Sequence, residues 1–444
     1  MPAAIINSAL EAVHDQSLPT IGLLQQSFPD SYAFMINISV LFDPRYVFLI
    51  YAPILFALNK QVGHRMIVAL TCCEWSNQVL KWLLAGERPY WYVHERLDKL
   101  TEGAPSVPEY LRLKQFPVTC ELGAGSPSGH AMVTATVWYI LIDAYLKGEL
   151  KLFEKNGPQR GREDNNTTAT NQETTAAVSV INRWAWLTGA SNRFEGALAR
   201  PAWTGYFIIL VLVGVSRVYL ACHFPHQCLC GALLGFALAK LIVDKLPMEQ
   251  LKPWHFCLAT MAMFASAMAT YAILKMRGFD PLWSVSKAMR WCEKPEHIHL
   301  DTTPFYSMMR YLGFCLGAGL AYDSSKLSNG SSSSNDAAGS QLGRLVLLVV
   351  RRVLVVALSI GFGQLLLAIP LTRSNLNLYY AISFMLYTIF AYSFAALIPD
   401  FVKSVLPISV NFQVQTSANS LTAASLANGA QPIRKKKISI KKLS

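Results

Sequence analysis

Charge is scarce in this chain of 444 residues: Asp, Glu, Lys and Arg together make up 15% of it, against 52% hydrophobic residues. With a mean hydropathy of +0.30, an ordinary soluble globular protein of this length is excluded. Residues 1–42 hold no Lys or Arg and carry Glu11, Asp15 and Asp30, which leaves no basic region for a cleavable signal peptide. The nine cysteines form no CxxC pair, and Cys228 and Cys230 stand too close for an ordinary metal site. Most of them lie in apolar runs and read as small buried hydrophobes. Cys120, Cys222 and Cys292 fall in expected loops and are the candidates for oxidation. DxD, HExxH and Walker patterns are missing too, which argues against a metal or nucleotide enzyme. The formal charge of +12 comes from Lys and Arg clustered beside apolar runs. That is the positive-inside pattern of a membrane protein, and no nucleic-acid partner is expected.

What is there is a series of apolar runs of about 17–25 residues, the length a helix needs to cross a bilayer. They predict an all-α, polytopic transmembrane bundle of about nine spans. The first runs from Ala33 to Leu58, broken by Asp43-Pro44-Arg45; Lys60, His64 and Arg65 behind it favour a cytosolic exit. The others are expected near 66–85, 131–147, 202–220, 227–246, 254–275, 306–322, beyond Arg351-Arg352, and 377–398. Gly313 and Gly317 have the GxxxG spacing of close helix packing. Glu74, Asn77 and Lys81 share one helical face; on that face Glu74 is the natural ion-pair partner for Lys81, and Glu74 and Asn77 are candidate supports for it. A polar insert at about 148–201 has a centre rich in Asn, Thr, Gln and Gly, with N-x-Thr sequons at Asn165 and Asn166. It reads as a flexible cytosolic segment within a membrane domain spanning 1–402. A Ser/Asn/Gly segment near 324–339 reads as a flexible loop, and residues 403–444 as a cytosolic basic tail.

The chemistry gathers around Gly123-Ala124-Gly125-Ser126-Pro127-Ser128-Gly129-His130, a glycine-rich turn that opens a helix. Such a turn bares backbone N–H groups toward an anion, at the positive end of the helix. Lys81 and Arg88 stand at the exit of the second span, His130 at the entry of the third, and Arg217 and His223 between the fourth and fifth. All of them land on one membrane face. A phosphate monoester carries close to two negative charges. Lys81 can meet it as a point charge, Arg88 and Arg217 as planar forks, and Ser128 and the Gly129 N–H as further donors. Two histidines remain for acid–base and nucleophilic work. With the charge met by fixed cations, neither metal nor organic cofactor is expected.

The ordered motifs K-x6-R-P, P-S-G-H and S-R-x5-H resemble those of the phosphatidic-acid phosphatase type 2 and haloperoxidase superfamily. That resemblance implies His223 as the nucleophile that becomes phosphohistidine, and His130 as acid/base. It implies Lys81, Arg88, Ser128, Gly129 and Arg217 as holders of the phosphate. One departure stands out: the superfamily has Asp four residues after the nucleophile, and here that position is Gln227. The stretch His223-Phe224-Pro225-His226-Gln227 is similar to that of the glucose-6-phosphatase family, as are Lys81–Trp91, Lys114–Met132 and Arg290–Phe305. The resemblance covers roughly residues 30–325. It implies a metal-independent phosphatase of a small sugar phosphate in the endoplasmic-reticulum membrane, with a lumenal site fed by a glucose 6-phosphate transporter. The family's sequon is missing from the 92–113 loop, and the polar insert is longer than the family's loop there. Lys441-Lys442-Leu443-Ser444 fits a C-terminal retrieval signal read in the cytosol. His226 is expected to be structural. A lipid-phosphate phosphatase and an inactive paralogue acting as a binding protein are the alternatives.

Overall fold

The computed structural model describes residues 2–101, 106–150, 193–298, 302–322, 341–371 and 374–407. Every regular element among the described residues is helical. The sequons at Asn165 and Asn166, the 324–339 segment and the Lys441–Ser444 signal lie outside the described residues.

Prolines and caps set the helix boundaries. A long first helix, α1 (Pro2–Ser27), leads into a bent pair, α2 (Pro29–Leu41) and α3 (Pro44–Leu58), which meet at 41°. The bend falls at Asp43, whose carboxylate caps α3 by accepting from Arg45 N at 2.7 Å, with Pro44 at the first helical position. Asn59 caps α4 (Lys60–Leu84) through Gln61 N and Val62 N. Prolines likewise open α5 (Pro89–Glu95), α8 (Pro225–Lys245), α9 (Pro253–Met276) and α11 (Pro304–Leu320). Between them stand α6 (Gly129–Leu146), α7 (Arg193–Tyr219) and α10 (Trp283–Trp291). The chain then continues into α12 (Gln341–Leu367) and α13 (Leu376–Val405).

At the centre, α6 packs against α8, α4 and α7, while α11 packs against α13, α9 and α4. Their shared core includes Met66, Leu70, Val133, Ile140, Phe314 and Phe390, all buried. Within a bilayer such packing rests on close van der Waals fit rather than on expulsion of water. Gly313 and Gly317 supply that fit, as their spacing predicts. A Cβ at Gly313 would stand 2.8 Å from the Phe384 carbonyl oxygen, and one at Gly317 would overlap the Thr388 carbonyl. On the outside, Phe207, Ile208 and Val211 of α7 and Leu258, Met261 and Phe264 of α9 are exposed, as side chains facing acyl chains are. The protein is a multi-pass membrane protein.

Each of the nine expected spans falls on a helix, yet among the described residues five helices are long and apolar enough to cross a membrane, or six if the bent α2–α3 pair counts as one. The shortfall lies in α4, α6 and α11, with α4 packed against both of the others. They carry polar groups where a lipid-facing helix would not: Glu74 and Lys81 on α4, His130 on α6, Arg310 on α11.

Nothing in the hydropathy announces α1. It lies over one end of the bundle, burying Leu18 and Ile21 in a second core with Tyr92, Leu111 and Phe224. Gln25 of α1 pins it there, donating to the Lys114 and Tyr219 carbonyls at 3.1 and 2.7 Å and accepting from Lys114 N at 2.9 Å. That end is also where α4 and α7 finish and where α6, α8 and α11 begin.

Candidate active site

Local chain breaks bring the expected residues together. Helix α4 ends with Ala85 in the left-handed region, φ 46°, just past Lys81. Arg88, immediately before Pro89, is extended, as the pre-proline residue prefers, and its side chain turns fully inward. Its guanidinium donates to the carbonyls of Gly123 (2.6 Å), Cys222 (3.0 Å) and Ala124 (3.2 Å). Those bonds tie the glycine-rich turn to the end of α7. The turn is held from its other side by Gly125 N donating to the Gly86 carbonyl at 2.7 Å. Residue 125 has to be glycine for this approach, since a Cβ would overlap the Glu87 carbonyl oxygen.

Helix α7 closes at Tyr219, and Ala221, with φ 52°, swings the chain back so that His223 points inward, fully buried. His223 Nδ1 lies 2.8 Å from the Gly125 carbonyl oxygen. A carbonyl only accepts, so Nδ1 carries the proton and Nε2 keeps its lone pair. That Nε2 lies 3.4 Å from Arg88 Nη1. Burial and the Arg88 guanidinium hold His223 well below the usual histidine pKa, so the ring is neutral. Across the site, His130 points Nε2 toward Asp43 Oδ2 at 3.7 Å.

The cations divide into two sorts. Arg217 donates Nη1 to Ser39 Oγ at 2.6 Å and pairs through Nη2 with Glu121. Arg88 Nη2 pairs with Glu121 Oε2 at 2.9 Å. The Lys81 ammonium makes no hydrogen bond or ion pair among the described residues and stands 3.7 Å from where a Gly123 Cβ would be. Ser128 precedes α6 and is fully buried with an unpartnered Oγ; the Gly129 N–H sits in the first turn, where an α-helix offers it no partner. Lys81, Gly129, His130 and Arg217 line one cavity of about 120 Å³, together with Asp43 and Glu121.

Several expectations need correction. Glu74 pairs with Arg310, at 3.6 Å, and not with Lys81. Asn77 donates to the Pro127 carbonyl at 3.2 Å, so it supports the turn rather than the lysine. Gln227 does not touch His223: its Oε1 accepts from Phe224 N at 3.1 Å and its Nε2 donates to the Glu87 carbonyl at 2.7 Å. The contact that orients the His223 ring comes from the Gly125 carbonyl. His226 packs outside the cavity, stacked on Phe224 with His14 on the same ring.

Two carboxylates of the site carried no assignment from the sequence. Asp43 had one signal, a charged pair interrupting an apolar run, which is costly unless it faces a wet interior. Glu121 had none, because its partners come from distant helices. Of the three candidate cysteines, Cys120 and Cys292 form a disulfide, Cα–Cα 5.9 Å, and Cys222 is free and buried. The disulfide joins the loop before the glycine-rich turn to the end of α10. Gln115 reinforces it, donating to the Trp291 carbonyl at 2.9 Å and accepting from Glu293 N at 3.0 Å.

Fixed cations and paired imidazoles at one end of a helical bundle define a class of phosphate-handling membrane protein, and the PAP2 superfamily matches residues 63–250. The chain is 37% identical over 316 residues to the rat (Rattus norvegicus) glucose-6-phosphatase catalytic subunit 1, covering 71% of this chain and 77% of that protein. It is 37% identical to the mouse (Mus musculus) subunit 1 over 72% and 78% of the two chains, and 31% identical to human (Homo sapiens) glucose-6-phosphatase 2 over 71% and 78%. No solved structure matches. The chain belongs to the glucose-6-phosphatase family of the PAP2 superfamily.

Proposed function

We infer that this chain hydrolyses glucose 6-phosphate to glucose and phosphate in the endoplasmic-reticulum lumen, through a phosphohistidine on His223. One observation carries the reading: two guanidinium groups and two imidazoles converge on the Glu121 carboxylate, whose oxygens pair with Arg217, stand 2.9 Å from Arg88 Nη2 and lie 3.8 Å from each histidine, and so mark an anion position. Lys81, Arg88 and Arg217 neutralise the phosphate, and Ser128 Oγ and the Gly129 N–H donate to its oxygens. His223 Nε2 attacks phosphorus as the bond to O6 breaks, and His130 gives its proton to the departing O6. Water then yields a proton to His130 and attacks phosphorus, the P–N bond breaks, and phosphate leaves with His223 restored. Fixed cations meet the charge that a metal would otherwise meet.

The choice of a sugar phosphate over a lipid phosphate rests on the names of the relatives and on the inner cavity wall. Gln78 and Arg310 line it and are buried, and Gln78 Nε2 and Arg310 Nε have no partner. Unpartnered donors suit sugar hydroxyls and would repel an acyl chain. The Cys120–Cys292 disulfide on the same face supports an oxidising, lumenal side. The retrieval signal expected at Lys441–Ser444 belongs with a cytosolic tail. A hexose phosphate made in the cytosol does not cross lipid unaided, so a glucose 6-phosphate transporter feeds the site.

The test is phosphate release from glucose 6-phosphate by detergent-opened microsomes containing this chain, beside His223→Ala. Wild-type release that falls by roughly 10³-fold or more in the variant is expected. Hydrolysis of phosphatidate in place of the sugar phosphate, or full activity in the variant, overturns the reading.

A further inference from the structure

The anion position at the centre of the site is held by the protein itself. Glu121 places one carboxylate oxygen against Arg217 Nη2 and the other 2.9 Å from Arg88 Nη2. The same two oxygens stand 3.8 Å from His130 Nδ1 and 3.8 Å from His223 Nε2. A carboxylate and a phosphate present the same pair of acceptor oxygens to an arginine fork. Substrate phosphate therefore needs the place that Glu121 holds.

We propose that Glu121 is an internal competitor for phosphate, seated on Arg88 and Arg217 in the empty enzyme and displaced by substrate, and that it sets the affinity for substrate phosphate and product phosphate. This rests on the phosphatase reading of the site. The backbone around Glu121 is anchored: its N–H donates to the Thr119 carbonyl at 2.9 Å, its carbonyl accepts from Tyr90 Oη at 3.2 Å, and Leu122 N donates to Thr302 Oγ1 at 3.3 Å. Displacement is thus a side-chain rotation, and Glu121 lines the cavity of about 120 Å³ that gives it room. Charge favours the exchange. Three cations, Lys81 and the buried Arg88 and Arg217, face one carboxylate here, because Asp43 is engaged by Arg45 at 2.8 Å and Glu74 by Arg310 at 3.6 Å. A dianion balances the three better than a monoanion does. Two anions in one cradle would repel each other, so the arrival of one expels the other. An occupied cradle lowers the apparent affinity by the fraction of time it stands vacant; vacancy of about 10% weakens phosphate binding about tenfold. The gain is release of product phosphate, since the returning carboxylate takes over its arginines.

The experiment compares full-length wild type, Glu121→Gln and Glu121→Asp in detergent, using orthovanadate and inorganic phosphate as probes. Gln keeps the size and loses the charge, so about a tenfold lower inhibition constant for vanadate is expected, with a lower kcat as product leaves more slowly. The phosphate concentration that half-saturates the rise in melting temperature falls by the same factor. Asp, one methylene shorter, spans the arginines poorly and moves both values the same way; it carries the test if Gln does not fold. Unchanged or weaker vanadate and phosphate binding in a folded variant overturns the proposal. Phosphate binding read by melting needs no turnover, so a wild type that hydrolyses nothing sinks the phosphatase reading without deciding this one.

Discussion

His223 meets the Gly125 carbonyl with one nitrogen and the anion site with the other. In most families that use a histidine this way a carboxylate stands behind the ring; here a peptide carbonyl fixes the tautomer without adding a second negative charge to a buried site. The consequence is legible in pH. In the proposed reaction attack requires the neutral ring, so kcat/KM is expected to decline on the acid side as His223 takes up a proton. Burial and Arg88 lower its pKa, so the acid limb belonging to His223 is expected below pH 6.5, its ordinary value. A pH profile of kcat/KM checks this, and a limb above 6.5 would mean that the ring is charged or that another group controls attack. Glu121 follows the opposite logic. Burial alone would raise its pKa, but Arg217 and Arg88 outweigh that and hold it well below the carboxylate range. It stays charged, as an anion competing for those arginines must.

Among the elements, the breaks matter as much as the helices. The α2–α3 bend carries Asp43, the α4–α5 break presents Arg88, and the left-handed turn after α7 returns His223. Helix α10 clamps the resulting loops: Lys287 donates to Glu87 at 2.8 Å and to Glu95 at 2.7 Å, tying α10 to α5. Further down the bundle, α11 and α13 touch backbone to backbone at Gly313 and Gly317. Gly317→Val is expected to cost about 1–3 kcal/mol or more through overpacking, read as a lower melting temperature in detergent. Unchanged melting would mean that the two helices separate easily.

For the molecule as a whole, the anion site, the disulfide and the α1 cap share one end of the bundle. If that end faces the lumen, a sequon placed there is glycosylated. Ser106→Asn combined with Pro108→Thr creates one in the loop that lacks it, and Ser106 is exposed. An endoglycosidase-sensitive increase in mass is expected; its absence in a folded, active variant would reverse the proposed orientation.

Much of this was decided by residue type and spacing. Composition dictates a membrane bundle, because an apolar run has no stable home but lipid or a core. The three motifs bring Lys81, Arg88, His130, Arg217 and His223 to one face because spans alternate direction. The pairings came only with the tertiary structure. Glu74 takes Arg310 on α11 in place of Lys81 on its own helix. Glu121 takes Arg217 from 96 residues away, Cys292 takes Cys120 across 172 residues, and α1, with little hydropathy signal, finds its seat over the site. Hydrogen bonds and ion pairs depend on separations of a few ångströms in space. Periodicity says which face a side chain occupies, and only the packed bundle says which other face it meets.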